Sequence, residues 1–352
     1  MDSSPTSHTA APVPALTIPP LRRRYPLRRS AHYDAALADE VDTWFLSFGL
    51  PTPQQQAYRR TNHAYLAAVC WPSADRRTLA DLARLAAAVM ARDHEIDSAP
   101  HPRALAAARS FLNDARHHFT PHADSDPRWA PVFINLWQRI ATHRTDRFMD
   151  RLADAIATYL TGCLTWLQTT ANDSPPAGLD AYLATRRTTI AQRVDHLLTE
   201  MSLGLDLSPA ALAHSLTKRL HALDVERTIL VQDLLSAPKE LADGETENLL
   251  TVLAAERQCT FAEALPDALR LYEQAMDAYD HAHHQLLHTE LGRQPPIRAY
   301  LNALNDFNTG LIEWTTHSPR YARTAQADWT TPDEIIQPAD AALPGSSGRA
   351  DR

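Results

Sequence analysis

Apolar positions in the middle of this chain recur every three to four residues, and no stretch there alternates apolar and polar with period two. That spacing predicts helices and argues against a sheet. The run from Thr78 to Met90 is the clearest case: Leu79, Leu82, Leu85, Ala86 and Val89 fall on one face, so a buried helix should lead straight into an acidic cluster. Breakers punctuate the pattern at Gly49-Leu50-Pro51-Thr52-Pro53, Trp71-Pro72-Ser73, Ser98-Ala99-Pro100, Thr120-Pro121, Ser174-Pro175-Pro176, Ser208-Pro209, Asp243-Gly244 and Gln294-Pro295-Pro296. Between them lie roughly ten to twelve helices joined by short loops in one all-α, bundle-like domain. The periodicity fades at both ends. Residues 1–24, rich in Pro, Ser and Thr, and residues 328–352, which contain Pro344-Gly345-Ser346-Ser347-Gly348, are expected to be disordered, leaving 25–327 as the working domain.

Composition narrows the function classes. A chain of 352 residues that is 44% hydrophobic can bury one large core. Its net charge of -8 excludes the basic footprint of a nucleic-acid binder. The cysteines Cys70, Cys163 and Cys259 are odd in number and far apart, which offers neither a disulfide framework nor a CxxC metal site and suits a reducing cytoplasm. Arg22-Arg23-Arg24 and Arg28-Arg29 are followed by polar residues with no apolar export segment. No run of about 18 apolar residues occurs, so no membrane span is expected.

Two polar stripes carry candidate chemistry. In Asp93-His94-Glu95-Ile96-Asp97, Asp93 and Asp97 stand at i and i+4 and project from the same side of a helix, where their oxygens can share a hard divalent cation. By itself such a cluster is also the ordinary solvated end of a helix. Further on, Gln232, Ser236 and Glu240 stand at i, i+4 and i+8, so that an amide oxygen, a hydroxyl and a carboxylate line one stripe of the kind magnesium accepts beside substrate phosphates. Read alone, this stripe equally describes an exposed amphipathic helix.

Together the stripes resemble the aspartate-rich motif (DDxxD) and the NDxxSxxxE motif of bacterial class I terpene synthases, in that order. Arg186 lies 46 positions before Gln232, within Tyr182-Leu183-Ala184-Thr185-Arg186-Arg187-Thr188-Thr189, which is similar to the YLxxRRxT signature of the family's diphosphate-sensing arginine. Trp314-Thr315-Thr316-His317-Ser318-Pro319-Arg320-Tyr321 resembles the W-x5-RY element. Trp44-Phe45-Leu46-Ser47-Phe48-Gly49-Leu50 and Arg59-Arg60-Thr61 look like the family's early helices, so the likeness runs over about residues 25 to 325. The resemblance implies an all-α class I terpenoid synthase bundle around a central apolar cavity. It implies an enzyme that ionises a linear prenyl diphosphate, farnesyl (C15) as first choice and geranylgeranyl (C20) as the alternative, and cyclises the cation with release of pyrophosphate. Asp93, Asp97, Gln232, Ser236 and Glu240 then become metal ligands for Mg2+, three ions with substrate bound. Arg186, Lys239, Arg320 and Tyr321 become diphosphate donors; Asp93, Arg186 and Glu240 become the catalytic set. Trp314 is either a cavity wall through cation–π contact or a plain core tryptophan. The family context allows a homodimer.

Departures from the motifs are visible. His94 replaces the second aspartate, Met90-Ala91-Arg92 replaces the usual aromatics, Gln232 replaces Asn or Asp, and Ile190 stands where many members have glycine. Pro238 falls inside the second motif's helix, at a cost of about 3 kcal/mol in a regular helix. These changes keep open a degenerate, non-catalytic helical protein of the same fold. A prenyl-elongating synthase needs a second aspartate-rich motif, which is not visible. His281, His284 and His288 share a helical face but lack a carboxylate pattern, which reads as a solvated face more readily than as a transition-metal site.

Overall fold

The computed structural model describes residues 16–59, 61–170, 178–243, 247–321 and 337–338. Fourteen helices are found among them. The first six are α1 (Ala35–Leu46), α2 (Thr52–Arg59), α3 (His63–Cys70), α4 (Arg76–Asp97), α5 (His101–Arg116) and α6 (Ala130–Ala141). There follow α7 (Asp146–Thr170), α8 (Leu179–Thr189), α9 (Gln192–Ser202), α10 (Pro209–Ala213) and α11 (Ser215–Asp243). The last are α12 (Leu249–Arg257), α13 (Phe261–Leu287) and α14 (Pro295–His317). A two-residue parallel pairing joins β1 (Arg28–Arg29) to β2 (Gln337–Pro338).

Local chemistry explains most boundaries. Asp75 caps α4 by accepting from the Thr78 N–H, and Thr260 with Glu263 forms a reciprocal capping box at the start of α13. Proline at the first positions of α10 and α14 uses the sites where a missing N–H is harmless. The helix count exceeds expectation because several breaks, among them those between α2 and α3, α6 and α7, α8 and α9, α10 and α11, and α12 and α13, have no Pro or Gly to announce them. Between α8 and α9, Ile190 sits at φ -93° and ψ 133°, an extended conformation that suits a β-branched residue, so the break needs no glycine there.

Every residue of α3 is buried, clamped between α4 and α14. Gly310 makes this possible: a Cβ there would run into the Val69 carbonyl, so only glycine lets α14 approach the α3 backbone this closely. Helix α9 is the central rod, packed against α4, α7, α11 and α14.

The N-terminal boundary differs from expectation. Residues 1–15 lie outside the described residues, but 16–24 are laid against the bundle: Leu21 is buried, Arg23 pairs with Glu313 at 2.5 Å, and Arg24 bonds Glu273, Asp277 and Asp280 on α13. Composition there suggested a solvated tail; the acidic face of α13 and buried Glu313 supply partners that composition does not reveal. Of the tail expected at 328–352, only 337–338 fall among the described residues.

Candidate active site

Helix α4 delivers the first polar stripe. It continues through the acidic cluster and ends at Asp97, so Asp93 and Asp97 lie on its last turns. The cluster's third carboxylate is committed elsewhere: Glu95 accepts from Trp129 Nε1 at 2.6 Å and pairs with Arg128 at 2.7 Å. Arg92, fully buried, bonds Asp126 at 3.1 Å and lies over the Trp129 ring, which accounts for a charged residue immediately before the motif. Asp93 is half-buried and Asp97 exposed. Tyr159 of α7 donates its hydroxyl toward Asp93 at 3.4 Å, and Cys163, one turn on, feels both carboxylates. Burial raises the Asp93 pKa, and the charge of Arg320, the Tyr159 hydroxyl, His94 and Arg186 pull it back. The same burial, with Asp93 beside it, pushes the Cys163 thiol up to about 12.

Helix α11 delivers the second stripe. Gln232 is half-buried, Ser236 buried and Glu240 half-buried, the last accepting from Asn248 Nδ2 at 2.8 Å. The helix runs through Pro238 without ending, so the Leu234 carbonyl loses its usual i+4 donor between Ser236 and Glu240. Lys239 is half-buried on the same turn.

Arg186 joins the two stripes. It sits in the last turn of α8, just before the Ile190 break, and its Nη2 donates to Asp233 Oδ1 at 2.8 Å. Tyr182, one turn earlier, donates to the other oxygen of Asp233 at 2.5 Å, and Asn248 donates to the Asp233 backbone carbonyl at 2.7 Å. Burial works against the Arg186 charge, but Asp233, Tyr182 and Glu240 outweigh it and hold the guanidinium more firmly protonated than usual. Its field also reaches Asp93. One cation is thus bonded beside the second motif and felt by the leading carboxylate of the first.

The C-terminal element adds a second cation that feels Asp93 and Asp97. Arg320 is half-buried; burial again opposes its charge, and Tyr321, Asp93 and Asp97 more than compensate. Trp314 is fully buried, donates its Nε1 to the Thr61 carbonyl at 2.8 Å and meets Tyr321 edge-on at 5.7 Å between ring centroids. It is thus a core tryptophan supporting Tyr321, the second of the two roles open to it.

Among the described residues no three His, Cys, Asp or Glu side chains converge as a ready-made metal cage. The candidate donors are hard oxygens on two helices: carboxylates on α4, and an amide, a hydroxyl and a carboxylate on α11. Such a set fits a magnesium ion that takes one or two protein carboxylates and fills its remaining positions with phosphate oxygens and water. Two hollows among the described residues lie elsewhere, one of about 460 Å³ bounded by Leu287, His288, Arg293 and Arg298, the other of about 210 Å³ along α8, α11 and α13. Neither is the central cavity expected between α4 and α11. His281 and His284 are exposed on α13 and His288 is exposed just past its end, with its Nδ1 against the His284 carbonyl at 2.7 Å.

Sequence reasoning passed over Asp233, Tyr159 and Cys163. Asp233 had a signal, since it occupies the aspartate of the NDxxSxxxE pattern. Tyr159 and Cys163 had only an i, i+4 spacing on a long helix, which any helix shows many times.

Comparison with known proteins follows the same lines. A family model described as "Terpene synthase family 2, C-terminal metal binding" matches residues 74–278, a span that holds both stripes and Arg186. A (+)-T-muurolol synthase of Roseiflexus castenholzii, named as (2E,6E)-farnesyl diphosphate cyclizing, is 25% identical over 313 residues, covering 85% of this chain and 93% of that one. Among solved structures, an α-eudesmol synthase superposes with a TM-score of 0.74 at 17% identity, covering 84% of this chain and 98% of its own. Germacradien-4-ol synthase from Streptomyces citricolor gives 0.71 at 20% identity, with coverages of 85% and 99%. These structural likenesses concern the all-α fold, and no described helix is long and apolar enough to cross a membrane.

Proposed function

The chain belongs to terpene synthase family 2, and from that membership we propose that it is a sesquiterpene cyclase that takes farnesyl diphosphate and uses Mg2+. The observation that carries the reading is Arg186. It is bonded beside Gln232 through Asp233, lies in the field of Glu240, and acts on Asp93 across the site. The farnesyl-cyclizing relative of similar length supports the choice of the C15 substrate.

The chemistry follows from the charges. Loss of the diphosphate separates a multiply charged anion from an allylic cation, so the leaving group must be stabilised before the C–O bond breaks. Asp93 and Asp97 on one side and Gln232, Ser236 and Glu240 on the other would hold magnesium, which neutralises the diphosphate when bound. Arg186, Arg320, Lys239 and the Tyr321 hydroxyl would orient it as donors. Arg186 bonds Asp233 and Glu240 accepts from Asn248, contacts that limit the freedom of both side chains before substrate arrives. The hydrocarbon would fold between the helices on the inner side of these groups, away from water.

Incubating the purified protein with Mg2+ and, separately, the C10, C15 and C20 prenyl diphosphates tests this. The expected result is pyrophosphate release with a cyclic C15 hydrocarbon or alcohol. Preferential turnover of the C20 substrate reassigns the chain as a diterpene synthase, and no pyrophosphate from any of the three overturns the reading.

A further inference from the structure

Helix α9 carries an acid that the ionisation step does not use. Residues 196–202 of this helix are all buried, as are Gln192 and Val194, and its exposed position is Arg193. Asp195 follows Arg193 by two residues, which on a helix turns it about 200° away, to the inward side. Yet Asp195 is only half-buried. With α4, α7, α11 and α14 packed around the rod, the part of its carboxyl left uncovered lies on the inward side of the helix.

The surroundings of that carboxyl are chemically specific. Cys70, fully buried on α3, feels its charge. Thr199, one turn along on the same face, donates to the Asp195 backbone carbonyl at 2.8 Å and accepts from Trp71 Nε1 at 3.2 Å, and Trp71 lies against Phe307 with ring centroids 5.4 Å apart. The polar groups nearby are taken by another acid: fully buried Asp224 holds Arg227 and His196 and accepts from Gln192 Nε2. Among the described residues no donor is left for the Asp195 carboxyl. Burial, reinforced by the Asp224 charge, pushes its pKa up to about 8, so it carries its proton at neutral pH. A neutral acid is also the compatible form beside carbocations, since a carboxylate would trap them as an ester. At about 1.5 Å of rise per residue, Asp195 lies roughly 7–8 Å along the helix from the Ile190 break, and so away from the Arg186 end that the proposed function gives to the diphosphate.

We propose that Asp195 is a general acid of the cyclisation, giving its proton to a neutral cyclised polyene and later recovering one from the cation it creates; the proposal rests on the cyclase reading above. The cation formed on ionisation first closes a ring, its allylic terminus bonding to a distal alkene carbon through that alkene's π pair, and the new cation then loses a proton from an adjacent carbon to the departed pyrophosphate, leaving a neutral cyclic polyene. The Asp195 O–H bond then breaks. Its proton forms a C–H bond with one alkene carbon, using the π pair, while the other carbon becomes cationic and the carboxylate is left behind. After further ring closure, the carboxylate takes a proton from a carbon adjacent to the cation; that C–H pair becomes the final C=C bond and the acid is restored.

The test is turnover of farnesyl diphosphate with Mg2+ in D2O, reading pyrophosphate release and product mass together. The wild-type product is expected to carry one deuterium. Asp195→Asn is expected to release pyrophosphate within about threefold of the wild-type rate but to yield an unlabelled, less cyclised polyene, and Asp195→Glu to restore labelling. An unlabelled wild-type product overturns the proposal without any variant, as does an Asp195→Asn enzyme that keeps both label and product. Should the Asn variant not fold, Asp195→Ser is read in its place. Absence of pyrophosphate release in the wild type is a different failure, that of the cyclase reading itself.

Discussion

Replacing Arg186 by alanine does two things at once, and the structure allows them to be separated. The substitution removes a donor from the diphosphate site. It also strips Asp233, only 1% exposed, of its cationic partner and leaves a buried carboxylate held by Tyr182 alone. Breaking a buried ion pair from one side typically costs about 3–5 kcal/mol. Arg186 keeps 21% of its side-chain exposure, so water can partly take its place, and the lower end of the range, about 3 kcal/mol, is the appropriate figure. For a chain of 352 residues, an unfolding entropy of about 2.1 cal/mol/K per residue turns this into a fall in Tm of about 4 °C. The double variant R186A/D233N removes the stranded charge as well and should recover most of that loss, while pyrophosphate release stays near the level of R186A. Thermal unfolding and a pyrophosphate assay on the wild type, both single variants and the double variant complete the cycle. An R186A protein that melts within about 1 °C of wild type would refute the idea that the Arg186–Asp233 pair is part of the fold, and a double variant with restored turnover would refute the diphosphate role.

Three further outcomes are expected. Asp93→Ala and Glu240→Ala should abolish pyrophosphate release at saturating Mg2+ with circular dichroism unchanged, and wild-type turnover in either would remove the metal assignment. Gly162→Ala should lower both turnover and Tm, because the added Cβ collides with the Thr188 carbonyl and pushes α8, with Arg186, away from α7; the overpacking cost is about 1–3 kcal/mol, and an unchanged Tm would contradict the contact. His63, buried and stacked on Tyr58, is held neutral: burial and then the Arg320 charge lower its pKa to about 3. The unfolded chain binds a proton there below about 6.5 and the folded protein does not, so this contribution favours the fold above pH 6.5 and is lost progressively as pH falls toward 3. His63→Phe should flatten the stability curve in that window, and an unaltered acid limb in urea titrations would argue against a buried neutral imidazole.

Much of this molecule was legible in the residues themselves. Apolar spacing and Pro/Gly punctuation located most helices, because those signals act within a turn or two of chain. The two polar stripes and the arginine 46 positions before the second were readable for the same reason: i, i+4 geometry on a helix is local. The partner of Arg186 was decided only in three dimensions. Asp233 comes to it across 47 residues, through the packing of α8 against α11, and no local periodicity encodes which face of one helix meets which face of another. The same long-range packing set Tyr159 beside Asp93, gave the N-terminal arginines acidic partners on α13 and α14, turned Trp314 into support for Tyr321, and enclosed Asp195. Local sequence specifies what each segment presents; burial and electrostatic environment, which set whether an acid is a ligand, a structural anchor or a proton source, arise only when segments meet.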